Sequence, residues 1–142
     1  MNNEKREFRL IHNYDTPVLI QTIINGKSCY AIIDTGSQMS YIDKNLIDDK
    51  IEIVGRQKID IASWNATKSL ELQNCKVRIV LIDNKKQNCL FDVMCSTMDM
   101  GNLQEAFAEK DYDNVSLILG ADWLKINKMT INVKEKCMYS NS

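Results

Sequence analysis

The sequence predicts a mainly β protein folded as a single domain. Runs of apolar and β-branched residues recur along the whole chain, whereas helical spacing of apolar residues is confined to two short segments in the last third. A length of 142 residues suits one domain and is enough to bury a core. With one proline, Pro17, and no low-complexity linker, the pattern shows no domain boundary.

The first predicted pair of elements is a β-hairpin. Residues 18–24 and 28–33 are rich in apolar and β-branched side chains, and Asn25-Gly26 lies between them. Asn-Gly favours a type I′ turn because both central positions of that turn need a positive φ. The hairpin therefore places Asp34 directly after its second strand.

The middle of the chain is predicted to be largely extended. Residues 40–47 indicate a short helical turn or an irregular segment. Partial alternation of apolar and polar residues then predicts strands at 51–54, 57–62, 68–72, 77–82 and 89–94.

The last third contains both predicted helices. Leu103, Ala106 and Phe107 fall at helical spacing and predict a helix within 101–110. An apolar strand at 115–119 ends at Gly120, and a short helix at 122–126 carries Asp122 in its first turn. A strand at 129–134 is predicted to be the last element.

The two ends of the chain repeat one pattern. The apolar run before Asp34 has a counterpart in Leu117-Ile118-Leu119-Gly120, because both are apolar strands stopped near a glycine. This similarity predicts two related substructures that meet at one core.

Composition argues against several classes of function. A net charge of −1 and a pI near 5.8 give no electrostatic basis for binding nucleic acid or an anionic membrane. The five cysteines are widely spaced and form no Cys-x-x-Cys pair, which favours reduced thiols over a disulfide framework or a zinc site. Residues 1–9 are polar, and no segment approaches the roughly 20 apolar residues that span a bilayer. We therefore expect a cytoplasmic protein without a metal, a cofactor, a nucleic-acid partner or a membrane partner.

Two motifs together resemble a known family. Asp34-Thr35-Gly36-Ser37 follows an apolar strand, and roughly eighty residues later comes Ile118-Leu119-Gly120, followed by Trp123-Leu124. This pair is similar to the retropepsin-like aspartic proteases, and most of all to those of long-terminal-repeat retrotransposons and retroviral elements. The resemblance covers roughly residues 18–133.

The resemblance implies both a fold and an assembly. The fold would be the retropepsin-like acid-protease fold, a closed β-barrel-like protomer with a flap hairpin and one or two short helices. Residues 1–142 would form one protease domain whose core is 18–133, with the terminal arms contributing to the interface of a homodimer. Ile118, Leu119 and Gly120 would be its second core motif.

The resemblance also assigns roles around Asp34. In this family two aspartates, one from each chain, share a proton and activate a water that hydrolyses a peptide bond. Thr35 would reach across the interface, and Gly36 would let its backbone N–H donate to the carboxylate. A hydroxyl at Ser37 can hydrogen-bond the outer carboxylate oxygen, which would lower the pKa values of the pair.

A flap is expected where two extended arms surround a polar tip. The residues assigned to it and to substrate binding are Ile61, Ala62, Ser63, Trp64 and Asn65. Such a hairpin would exclude water from the cleft.

Several alternatives stay open from the sequence. Asp34 could be a turn residue that closes a hairpin, and Trp64 could be an ordinary packed aromatic. Many members of the family carry an aspartate four residues after the catalytic one, and it forms an ion pair with an arginine just after the later glycine. This charged brace is absent here, because Gln38 and Ala121 occupy the two positions. The protease could mature a retroelement polyprotein or serve a cellular role, and the domain could instead be a catalytically silent module for dimerisation or peptide binding.

Overall fold

The chain forms ten β-strands and two short α-helices in the part that the structure covers. This structure is a computed structural model that describes residues 6–13, 16–49, 51–62 and 67–140, with the backbone alone at 57, 59–62, 67, 68 and 70. The elements are β1 (Arg6–Arg9), β2 (Leu19–Ile24), β3 (Lys27–Ile33), β4 (Ser40–Asp43), β5 (Glu52–Ala62), β6 (Thr67–Ile82), β7 (Asn88–Met98), α1 (Gly101–Ala108), β8 (Val115–Leu119), α2 (Ala121–Ile126), β9 (Met129–Asn132) and β10 (Cys137–Ser140).

Six of these strands close into a barrel. The larger sheet has the order β2-β3-β8-β4-β7-β6-β5, and β2 also pairs with β6. That extra pairing joins Ile23 to Val80 and Ile24 to Ile79, which completes a ring of six strands and leaves β5 as an extension beside β6. The prediction of a mainly β, barrel-like fold with short helices is confirmed.

The first hairpin forms as its turn sequence predicts. Asn25 has φ 51° and Gly26 has φ 77°, so both central residues adopt the left-handed backbone that a type I′ turn requires. The flanking residues Ile24 and Lys27 are cross-strand partners. Asp34 therefore follows the hairpin's second strand directly.

The region after Asp34 differs from the prediction of a helical turn or an irregular segment. Ser40–Asp43 is strand β4, and the helical turn is confined to a 3₁₀ turn at Lys44–Leu46. β4 lies between β7, which it pairs in parallel, and β8, which it pairs in antiparallel fashion. Tertiary pairing on both sides makes four residues a strand, although so short a segment carries little periodicity of its own.

Two pairs of predicted strands merge into single long ones. The predicted strands at 51–54, apart from Ile51, and at 57–62 belong to β5, and those at 68–72 and 77–82 belong to β6. A register shift between Ile53 and Gly55 accounts for the break in the apolar pattern of β5.

The two ends of the described chain pair with each other in a small sheet of order β1-β10-β9. Phe8 faces Met138 across β1 and β10, and both side chains are fully buried. The prediction that the strand at 129–134 is the last one is wrong, because β9 ends at Asn132 and β10 follows. β1 and β10 pair here within one chain, and the role of the arms in a dimer interface stays a prediction.

Aromatic contacts join the small sheet to the barrel. The ring of Phe91 on β7 packs edge-on against Trp123 on α2 at 5.3 Å and against Phe8 on β1 at 5.8 Å. Edge-to-face ring pairs at such distances stabilise the fold by more than their buried apolar area alone would. None of the helices in the described ranges is long and apolar enough to cross a membrane.

Candidate active site

Asp34 lies where the two predicted halves of the chain meet. β3 and β8 run side by side in parallel, with Ile33 opposite Leu119. The backbone N–H of Asp34 donates to the carbonyl oxygen of Leu119 over 3.0 Å, which continues the ladder one residue beyond β3. The strand ends therefore bring the Asp34 loop and Gly120 together.

The loop itself orients the Asp34 side chain. The backbone N–H of Gly36 donates to Oδ1 of Asp34 over 3.0 Å, as the sequence predicted. The N–H of Ser37 donates to the Asp34 carbonyl oxygen over 3.2 Å, closing a tight turn. Asp34 is half-buried, while Thr35 and Gly36 are exposed, so the carboxylate is fixed in direction yet accessible.

The Ser37 hydroxyl does not bond to the Asp34 carboxylate, and that prediction is wrong. Its Oγ donates instead to the carbonyl oxygen of Met39 over 2.7 Å. The turn brings this carbonyl within reach, and a hydroxyl has a single proton to donate. Ser37 therefore stabilises the loop backbone rather than the Asp34 carboxylate.

Gly120 is a site of close backbone approach. A Cβ at this position would lie 2.7 Å from the carbonyl carbon of Met39 and 2.8 Å from the carbonyl oxygen of Ser37. These are backbone atoms that no rotamer change can move. The glycine of the second motif is thus required by the Asp34 loop packing over it.

Backbone hydrogen bonds attach the Asp34 loop to the start of α2. The N–H of Ala121 donates to the Ser37 carbonyl oxygen over 2.7 Å, and the N–H of Asp122 donates to the Gln38 carbonyl oxygen over 3.3 Å. Gln38 and Ala121 are the positions at which the sequence lacks the expected charged brace. Main-chain bonds therefore connect these two segments without it.

Ser40 is an important residue that the sequence analysis missed. Its Oγ accepts the backbone N–H of Gly120 over 2.9 Å and donates to Oδ1 of Asp122 over 2.8 Å, and the residue is fully buried. The same Asp122 oxygen accepts the N–H of Trp123 over 2.7 Å. Ser40 begins the short strand β4, which the sequence did not predict, so no local pattern pointed to this residue. Asp122 is thereby engaged in holding α2, in keeping with its predicted place in the first helical turn.

Removing the Ser40 hydroxyl is expected to destabilise the fold. Ser40→Ala leaves the buried Gly120 N–H without its acceptor, which should lower the free energy of unfolding by about 1–3 kcal/mol. Ser28→Ala is the matched control, since Ser28 is exposed and its hydroxyl bonds only to the exposed Gln21 side chain among the described residues. Urea denaturation of both variants measures the difference. Equal stabilities of the two variants would contradict this role of Ser40.

The predicted flap falls partly outside the described residues. β5 and β6 form a long antiparallel hairpin whose last described pair is Ala62 with Thr67. Ile61 and Ala62 lie at the end of β5, while Ser63, Trp64 and Asn65 lie outside the described residues. The role of all five in substrate binding stays a prediction.

A shallow cavity adjoins the Asp34 loop. Its volume is about 440 Å³. It is lined by Thr35, Ala121, Leu124, Lys125, Met129, Thr130 and Ile131. A larger cavity of about 630 Å³ lies between β1, β2 and the end of β6 and contains none of the predicted site residues. The chemistry of Asp34, rather than cavity size, identifies the candidate active site.

Solved structures share this architecture. A retropepsin-like aspartic protease from Rickettsia conorii superposes with a TM-score of 0.52 and 15% sequence identity, covering 99% of this chain and 94% of that chain. The chain has the retropepsin-like fold. The retroviral protease-like domain of Ddi1 from Leishmania major gives a TM-score of 0.48 and 16% identity, covering 89% of this chain and 90% of that one. No protein-family model and no curated protein sequence matches the chain.

In the described part of this retropepsin-like fold, the candidate catalytic groups lie in the Asp34 loop. Asp34 supplies a half-exposed carboxylate, and Gly36 supplies the N–H that fixes its direction. Ile118, Leu119 and Gly120 form the strand end that supports them. A carboxylate held this way can accept a proton from water or, when protonated, donate one to a carbonyl oxygen.

Proposed function

We propose that the protein is an aspartic endopeptidase that acts as a homodimer, with one Asp34 from each chain in a shared site. The observation that carries this proposal is the accessible Asp34 carboxylate at the end of β3, whose direction is fixed by a 3.0 Å hydrogen bond from the Gly36 N–H. Thr35 and Gly36 beside it are exposed, which leaves this edge of the chain open to a second copy. The retropepsin-like fold supports the same reading.

A second chain is needed because the chemistry requires two aspartates and one chain supplies a single one in this motif. The structural counterpart of the Asp34 strand end is Leu119-Gly120-Ala121, which contributes no carboxylate. In a single chain Thr35 is exposed at the edge of the 440 Å³ cavity, and the nearby Met39 is 37% exposed. A second copy packed here would cover them and supply the missing aspartate.

The chemistry of such a pair requires no cofactor. Two adjacent carboxyl groups share one proton because both cannot ionise at close range. The ionised Asp34 removes a proton from water while the protonated one donates to the scissile carbonyl oxygen. The water oxygen bonds to the carbonyl carbon, the C–N bond then breaks, and the leaving nitrogen takes a proton. Because the chains are identical, either Asp34 can take either role.

The substrate is a peptide segment of a larger protein. The β5–β6 hairpin and the residues that the sequence assigns to the flap, Ile61, Ala62, Ser63, Trp64 and Asn65, would cover that segment and exclude water. The resemblance of the Asp-Thr-Gly-Ser and Ile-Leu-Gly pair to retroelement proteases favours processing of a retroelement polyprotein, and the cytoplasm is the expected compartment. In this proposal the protein acts without nucleic-acid or membrane partners.

The test is cleavage of a peptide library by the purified chain, measured against protein concentration with and without a statine inhibitor. We expect activity per chain to rise with concentration below the dimer dissociation constant, because the active species is a dimer. A statine should inhibit because it imitates the tetrahedral transition state. Activity that resists the statine and disappears with a serine- or cysteine-directed reagent would overturn the proposal.

A further inference from the structure

Cys75 and Cys95 face each other inside the barrel. They are directly opposite on the antiparallel strands β6 and β7, and their Sγ atoms are 3.6 Å apart. Both thiols are free, and both side chains are buried. Directly opposed residues of antiparallel strands have Cα atoms about 4.5–5.5 Å apart, within the roughly 4.4–6.8 Å that a disulfide spans. The spacing of directly opposed residues is therefore compatible with a disulfide between these sulfurs.

The contact makes the two thiols chemically unequal. A hydrogen bond from Cys95 stabilises the thiolate of Cys75 and lowers the pKa of Cys75. The same bond, together with burial, raises the pKa of Cys95. By contrast, Cys29 has no such partner among the described residues, and its burial raises its pKa to about 11. This order of pKa values favours Cys75 as the attacking sulfur, since thiolates rather than thiols react with oxidants.

The pair also lies between two functional parts of the fold. Cys75 is opposite Ile53 on β5, next to the register shift at the base of the β5–β6 hairpin. Cys95 is opposite Ser40 on β4, whose hydroxyl holds Gly120 and Asp122. A covalent bond between the two cysteines would join the base of the β5–β6 hairpin to β7, the strand that pairs with β4.

We propose that Cys75 and Cys95 form a reversible intramolecular disulfide on exposure to hydrogen peroxide, and that this bond restrains the β5–β6 hairpin. The Cys75 thiolate attacks a peroxide oxygen, the O–O bond breaks, and the hydroxide that leaves is protonated to water. Cys95 then attacks the sulfenic sulfur of Cys75, the S–O bond breaks, and a second water leaves with the thiol proton. Overall two thiols lose two electrons and the peroxide gains them. A dithiol reductant reverses the bond by thiol–disulfide exchange.

The restraint has a consequence for turnover that rests on the proposed function. If the hairpin must open to admit a peptide, a bond at its base slows that opening. The disulfide should also stabilise the folded chain, because it restricts the unfolded state. Oxidation is therefore expected to raise Tm by roughly 5–10 °C and to slow peptide cleavage about three-fold or more, with both effects reversed by reduction.

The experiment treats the full-length protein with hydrogen peroxide, blocks the remaining thiols by alkylation, and maps disulfides by mass spectrometry. We expect a Cys75–Cys95 peptide and a loss of two hydrogen atoms from the intact mass. Cys95→Ala should abolish the linked peptide and the Tm rise, and Cys29→Ala, which removes another buried cysteine, should retain both. The map of the wild-type protein decides the point even if Cys95→Ala fails to fold.

Three results would overturn the inference. They are alkylation of both Cys75 and Cys95 after peroxide treatment, a disulfide that instead involves the partly exposed Cys137, and a correct disulfide with unchanged Tm and cleavage rate. Failure of the proposed function is distinguishable, because it would show as no cleavage by the fully reduced protein while the disulfide still forms and raises Tm.

Discussion

Asp34→Asn is expected to lower kcat/KM for peptide cleavage by at least about 10³-fold, since an amide cannot exchange the proton that general acid–base catalysis needs. The fold should survive. The amide oxygen of asparagine can still accept the Gly36 N–H, and residue 34 is only half-buried. Steady-state kinetics on a cleaved peptide, together with thermal unfolding, measure both effects.

Asp113→Asn is the matched control for that substitution. It makes the same chemical change at an exposed aspartate in the loop that precedes β8. We expect wild-type kinetics and an unchanged Tm for it. Residual activity of Asp34→Asn near the wild-type level would remove the aspartate from the mechanism, and a large fall in Tm would make its effect structural.

Gly120→Ala is expected to lower the free energy of unfolding by about 3 kcal/mol, near the upper end for overpacked positions. The added methyl group would meet backbone atoms of Met39 and Ser37, so relief requires moving the Asp34 loop itself. That movement would also lengthen the bond from the Gly120 N–H to Ser40. Urea denaturation measures the loss, and cleavage by the folded fraction reports the displacement of Asp34.

Gly55→Ala provides the comparison for the glycine change. A Cβ at Gly55 would have its nearest neighbour, the Asn74 side-chain nitrogen, at 3.9 Å, which is ordinary contact. This substitution should change stability by less than about 1 kcal/mol. If the two alanine variants unfold at the same urea concentration, the close approach at Gly120 does not constrain the fold.

The predictable parts of the fold are those specified by local sequence. Asn25-Gly26 determines its own turn because only left-handed backbone fits a type I′ geometry, and the strand leading to Asp34 follows from it. β1, β4 and β10 were not predicted, and each is four residues long. Such short strands exist because distant strands pair with them, which no local pattern records.

The same division applies to the candidate site. Asp34 and the N–H of Gly36 were predicted, because a motif of adjacent residues defines their relation. The partners of Ser37 and Ser40 were not, since the Ser37 hydroxyl bonds to Met39 and the Ser40 hydroxyl to residues eighty or more positions away. A hydroxyl's partner depends on which acceptor the folded chain brings nearest, and the sequence alone leaves that choice open.

The central claim, that Asp34 is half of an active site completed by a second chain, is tested most directly by mixing. Wild-type protein is held at a fixed concentration above the dimer dissociation constant, and Asp34→Asn protein is added in increasing excess. If chains exchange and both aspartates are required, a nine-fold excess should leave about one tenth of the activity, because most wild-type chains then pair with an inactive partner. Adding Asp113→Asn protein instead should raise the activity. Wild-type activity that stays constant as Asp34→Asn protein is added would contradict the claim, because each chain would then carry a complete site.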